Sequence, residues 1–145
     1  MNTASGPLER FLRAQEHCYA QALAELSAGQ KRTHWMWYVL PQLRDLGRSQ
    51  MAREYGIVDR AEARCYVAHP ILGRRLVECV TALLGHKDRS ASEILGEVDA
   101  MKFRSCLTLF GEVAPTEAIF ALALAAFYQG EPDTETLRLL GTAAT

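Results

Sequence analysis

The chain has 145 residues, enough for one domain that buries roughly 70% of its unfolded surface without metal or disulfide staples. Hydrophobic residues make up 49%, and 16 Lys and Arg against 17 Asp and Glu leave a net charge of -1. That balance removes the broad attraction to phosphate backbones on which nucleic-acid binding rests, so no nucleic-acid partner is expected.

Leu8, Phe11, Leu12, Gln15, Tyr19, Ala22, Leu23 and Leu26 recur at the helical period. They predict one continuous helix, with Glu9, Arg13, Glu16, Gln21 and Glu25 outside its buried stripe. Pro7 suits the first turn and Gly29 the stop. After the polar connection Gln30 to Thr33 comes His34-Trp35-Met36-Trp37-Tyr38-Val39-Leu40-Pro41-Gln42. Aromatic and β-branched residues in so short a run fit helix or strand. The helical surroundings favour a short helix, capped by Thr33 and stopped by Pro41. Gly47 and Gly56 bracket a short helix, Gln50 to Tyr55. Asp59 with Glu62 resembles a capping box for a helix ending near His69, and Pro70 opens the next at its first turn. That helix turns Leu72, Leu76, Val80 and Leu83 inward and stops at Gly85. Ser90 with Glu93 is a second capping-box pattern, closed by Gly96. Asp99 can cap a helix whose core stripe is Phe103, Cys106, Leu107, Phe110 and Val113. Glu117 to Gln129 is apolar nearly all round, which places it at the centre of the core. A turn at Gly130 to Asp133 leads to a last short helix carrying Leu137 and Leu140. Residues 1–6 and 141–145 are expected to fray.

The architecture that follows is all-α: one globular domain over residues 1–145, built from six to eight uneven helices rather than a regular four-helix bundle. There is no internal repeat and no linker. The most apolar run, Ala118 to Tyr128, is shorter than the ~20 residues a bilayer requires, and no apolar stretch follows a basic start. Neither a membrane partner nor export is expected, and the cytoplasm is the default location. Cys18, Cys65, Cys79 and Cys106 lie far apart with no C-x-x-C pair. They are expected as free, mostly buried thiols in helices, in a reducing compartment, with no metal site and no cofactor. Oligomeric state is not legible, and a monomer is the default.

Several landmarks recur in a fixed order. Leu8-Glu9-Arg10-Phe11 and Ala14-Gln15 open the chain, followed by His34-Trp35-Met36-Trp37 and Pro41-Gln42. Glu62-Ala63-Arg64 then leads through Tyr66 to Ala68-His69-Pro70-Ile71-Leu72-Gly73, and later come Asp99, Lys102, Ser105 and Thr108-Leu109-Phe110. In this order they resemble the family known as domain of unknown function 1810, small multihelical bacterial proteins, over about Leu8 to Leu140. The resemblance implies a multihelical single domain and carries no established activity or catalytic residues. The label "calpastatin" borne by some relatives does not transfer, because inhibitor segments of that name are polar and disordered while this chain has a continuous core pattern. Cys106 departs from the small or apolar residue, such as Ser, expected there from the resemblance.

Two groups of residues can carry chemistry. Trp35 and Trp37 offer flat faces for stacking, Gln42 a donor and an acceptor, and His34 a group that titrates near neutrality. The alternative is that both tryptophans are core wedges whose indole N–H groups meet the backbone. Lys102 and Ser105 share a helical face beside the core stripe, where a half-desolvated lysine can bind an anion or form a Schiff base. The alternative is a snorkelling lysine paired with Asp99 at i−3. His69-Pro70 is simplest as a helix junction, with Gly73 allowing close packing. The phosphate-loop, zinc-protease and nucleophile-elbow fingerprints are absent. Two functions follow. One is a binding protein or enzyme for a planar, anionic or nucleotide-like small molecule at His34, Trp35, Trp37, Gln42, Lys102 and Ser105, with acid/base chemistry at His34 or Lys102 if it is an enzyme. The other is a non-catalytic protein-interaction or regulatory module.

Overall fold

The apolar stripes resolve into ten helices in the computed structural model, which describes residues 6–141. They are α1 (Glu9–Glu16), α2 (Tyr19–Ala28), α3 (Met36–Val39), α4 (Gln50–Tyr55), α5 (Arg60–Ala68), α6 (Leu72–Leu84), α7 (Ala91–Leu95), α8 (Glu97–Val113), α9 (Ala118–Tyr128) and α10 (Thr134–Leu140). One turn of 3-10 helix, Arg44–Leu46, precedes α4. Among the described residues the extended backbone pairs only at one isolated parallel bridge, Leu43 with Ile57. The all-α expectation holds, and His34 to Gln42 is helical at its centre. The expected fraying falls mostly on residues 1–5 and 142–145, outside the described residues.

Ten helices exceed the six to eight expected, partly because the first one breaks. Cys18 donates its N–H to the Gln15 carbonyl three residues back, and its thiol donates to the Ala14 carbonyl. The halves serve different neighbours, since α1 packs on α3 while α2 packs on α6. The Gln15 amide donates to the Tyr38 carbonyl and the Tyr66 hydroxyl and accepts from Arg75, which pins α1 across the core.

The central helix is α8, not α9. It packs against α5, α7, α9 and α10 and buries Phe103, Cys106, Leu107, Leu109 and Phe110. Helix α9 buries only Phe120 and Ala123, and leaves Leu122 exposed. Its expected place at the centre is therefore wrong. One side of α9, carrying Ile119, Phe120, Ala123, Leu124, Phe127 and Tyr128, packs on the core, while Ala118, Ala121, Leu122, Ala125 and Ala126 form an exposed side, so the helix lies at the edge of the core.

The junctions use the expected chemistry with two changes. Ser90 and Glu93 form a complete capping box. Asp59 caps α5 through the Glu62 N–H, but the Glu62 carboxylate reaches back to the Val58 N–H and also binds Arg10. Helix α8 begins at Glu97 behind Gly96 (φ 89°), so Asp99 lies in its first turn instead of capping it. At the α5–α6 junction the cap is His69, whose Nδ1 accepts the N–H groups of Ile71 and Leu72. Gly73 is required there, because a Cβ would stand 2.1 Å from the Val67 carbonyl oxygen. No helix among the described residues is long and apolar enough to cross a membrane.

Candidate functional site

Placement of the aromatic segment starts from Glu25. Its carboxylate is buried and accepts five hydrogen bonds. Oε1 takes the backbone N–H of Arg32 (2.8 Å) and Thr33 (3.1 Å) and the indole N–H of Trp35 (2.9 Å). Oε2 takes the Gln21 amide (2.9 Å) and the Thr33 hydroxyl (2.7 Å). Burial pushes the carboxyl upward, but these donors outweigh it and hold its pKa at about 2 instead of the ordinary 4.5. The assignment of Glu25 to the outer face is thus corrected. So is Thr33 as a cap for α3, since its hydroxyl serves Glu25. Trp35 is a core wedge, 1% exposed, satisfied by a carboxylate and not by the backbone.

The fold separates the two tryptophans. Trp37 is half-buried on α3 and forms part of the wall of two adjoining cavities. The larger, about 270 Å³, brings Trp37, Gln42, Lys102 and Ser105 together with Leu46, Gly47, Val98, Met101, Asp133 and Glu135. The smaller, about 200 Å³, is lined by Lys31, His34, Met36, Trp37, Met51, Asp99 and Lys102. Five of the six candidate residues thus meet at this groove, and Trp35 does not.

Lys102 lies between the cavities. Its ammonium sits 5.2 Å from the Trp37 ring centroid and 3.3 Å from Asp99, the i−3 pairing expected of a snorkelling lysine. The other Asp99 oxygen binds Lys31 at 2.8 Å, so one carboxylate serves two ammonium groups and one positive charge is left over. Lys31 also covers Trp35, 5.0 Å from its centroid. The Ser105 hydroxyl donates to the Met101 carbonyl of its own helix, leaving its lone pairs free.

Gln42 is the decisive residue. It is 5% exposed, and its backbone carbonyl accepts the Ile57 N–H beside the Leu43–Ile57 bridge. Its amide lines the larger cavity and has no protein hydrogen-bond partner among the described residues. The amide atoms stay accessible at the cavity wall and face space that a ligand can enter. Two other cavities have similar volume but spent chemistry. One, about 230 Å³, is bordered by Asp59, which caps α5, and Arg60, which donates to the Leu140 carbonyl. The other, about 210 Å³, is bordered by Cys65 and by His69, whose Nδ1 is occupied by two backbone N–H groups.

The sequence reading missed Lys31, Asp133 and Glu135 at the groove. Asp133 and Glu135 lie far from Trp37 along the chain, and only the packing of α10 on α8 and on the 3-10 turn brings them in. No local pattern marks them. Among the described residues no three His, Cys, Asp or Glu side chains gather as metal ligands would. All four cysteines are free, with Cys79 and Cys106 buried, Cys18 half-buried at the helix break and Cys65 exposed. Burial pushes the Cys79 thiol up to about 12 and Cys106 higher still, so neither is a nucleophile at neutral pH.

The groove and the helices around it lie within residues 5–140, which match the model of a family described as "Protein of unknown function (DUF1810)". The chain belongs to this family. The DUF1810 fold is also seen in the crystal structure of the conserved hypothetical protein Rv1873 from Mycobacterium tuberculosis, to which the chain is 43% identical. The similarity covers 94% of this chain and 97% of that one, with a TM-score of 0.91. No curated protein matches the chain.

Proposed function

We propose that this DUF1810 protein is a cytoplasmic small-molecule binding protein whose site is the groove between α3 and α8. The ligand class that fits is a planar metabolite with an anionic group. Trp37 supplies the stacking face, Gln42 a donor and an acceptor for the edge of the planar group, and Lys102 the positive charge. The observation that carries this reading is the unpartnered Gln42 amide. Those amide atoms open on the cavity and not on the protein, so their donors and acceptor are free for a ligand to take.

Substituting Gln42→Leu tests it, because stability and binding then move in opposite directions. The variant is expected to melt at or above the wild-type temperature. A thermal-shift screen of nucleotides and other planar anions is expected to find a ligand that stabilises the wild type by roughly 2.7 kcal/mol at 100 Kd, and Gln42→Leu by much less. A screen in which no compound shifts the wild type, or in which Gln42→Leu responds equally, refutes the reading.

A second reading, a non-catalytic interaction module, rests on α9, where exposed Leu122 lies among exposed Ala118, Ala121 and Ala125. It predicts that Leu122→Glu abolishes a complex with another protein while ligand binding at the groove is unaffected.

A further inference from the structure

The two cavities at Trp37 have opposite electrical character. In the larger, the acids are Asp133 and Glu135, and Lys102 is shared with Asp99. Asp133 spends Oδ2 on capping α10 and Glu135 pairs with Arg138, so both side chains are held on that wall. In the smaller, Lys31 and Lys102 face the single carboxylate of Asp99, with exposed His34 beside them. An anion entering the larger cavity meets the Asp133 carboxylate, since Glu135 is paired with Arg138, and one entering the smaller meets surplus positive charge. The larger cavity instead suits a group that donates hydrogen bonds, with Gln42 able to read a donor–acceptor edge.

Size makes the same distinction. At about 270 and 200 Å³, each cavity falls below the roughly 300 Å³ at which pockets for small organic ligands begin. Among the described residues, Trp37 and Lys102 are common to both walls. The lysine stem is flexible and its head is held by one 3.3 Å contact to Asp99 and by the indole face. A planar ligand stacking on that face must displace the ammonium, and the displaced ammonium is then next to whatever occupies the smaller cavity.

We propose that the cavities are two halves of one site for a nucleoside monophosphate. The base stacks on Trp37 and is read by Gln42, the phosphate lies in the smaller chamber, and Lys102 leaves the indole to close on the phosphate. This rests on the groove being a ligand site, as argued above, and adds ligand class, orientation and a moving lysine. Lys102 is then a specificity determinant that works in two directions, covering the stacking face from neutral ligands and rewarding anionic ones.

The test titrates the protein with adenosine 5′-monophosphate, adenosine and inorganic phosphate, by calorimetry and tryptophan emission. The wild type is expected to bind the monophosphate about tenfold or more tighter than adenosine. Lys102→Met is expected to lose about tenfold for the monophosphate while binding adenosine equally or better, since the ring face is uncovered. His34→Ala, at an exposed position with no packing role, guards against a folding defect and is expected to weaken the monophosphate alone. Asp133→Asn, which keeps a capping side chain, is expected not to weaken it. Equal affinity of the wild type for adenosine and its monophosphate, or equal loss of both in Lys102→Met, overturns the two-chamber ligand and leaves the binding function standing. A wild type that binds none of the three probes overturns the nucleotide assignment, and only the wider screen described above then decides the function.

Discussion

Replacing Glu25 separates the geometry of its hydrogen bonds from the mere presence of a polar side chain. In Glu25→Ala the Trp35 indole N–H is left buried without a partner, and a fully buried donor in that state costs about 1–3 kcal/mol. The N–H groups of Arg32 and Thr33 reach water more easily and add less, so the total is about 3 kcal/mol. The carboxyl titration gives a second route: separation between the ordinary 4.5 and about 2, at about 1.4 kcal/mol per pH unit, again gives about 3 kcal/mol. For a chain of this size that lowers the melting temperature by roughly 10 °C. Glu25→Gln behaves differently. Its new NH₂ can take the Oε2 position, where the Gln21 amide can flip and the Thr33 hydroxyl can rotate to accept, while its oxygen keeps the three N–H donors on the Oε1 side. Only charge assistance is lost, about 1 kcal/mol and roughly 3 °C. The pH dependence has a definite sign. The folded-state pKa lies below the unfolded one, so the Glu25 contribution is complete above about pH 4.5 and drains away as pH falls towards 2. Glu25→Gln should therefore show a shallower loss of stability across that window. Thermal unfolding followed by circular dichroism and tryptophan emission reads both effects. Equal damage from Gln and Ala, or an acid response unchanged in Gln, would refute the argument.

Three further outcomes follow from the packing. Gly73→Ala forces a Cβ to 2.1 Å from the Val67 carbonyl, so urea unfolding should show a loss of about 3 kcal/mol with an unchanged slope. His69→Ala removes the acceptor for the Ile71 and Leu72 N–H groups and should cost about 1 kcal/mol, while His69→Asn, itself a capping side chain, should recover most of it in the same assay. Iodoacetamide at neutral pH should modify exposed Cys65 first and buried Cys79 and Cys106 only under denaturing conditions; mass mapping that finds Cys106 labelled in the folded protein would contradict its burial.

Much of the fold was legible in the residues because helix formation is periodic and local. The stripes Leu72-Leu76-Val80-Leu83 and Phe103-Cys106-Leu107-Phe110 became buried faces, and Ser90 with Glu93 became the cap its spacing requires. The net charge of -1 was legible too, since counting charged residues needs no coordinates. Tertiary structure decided what periodicity does not encode. It broke the first helix at Cys18 because its halves pack on different partners, and it made α8 the centre although α9 is the more apolar. It also gave two tryptophans only two residues apart opposite roles, Trp35 bonded to Glu25 in the core and Trp37 under Lys102 at a groove. The groove itself joins positions 31 to 51, 98 to 105 and 133 to 135, and no local rule of spacing relates residues so far apart until the core has packed them together.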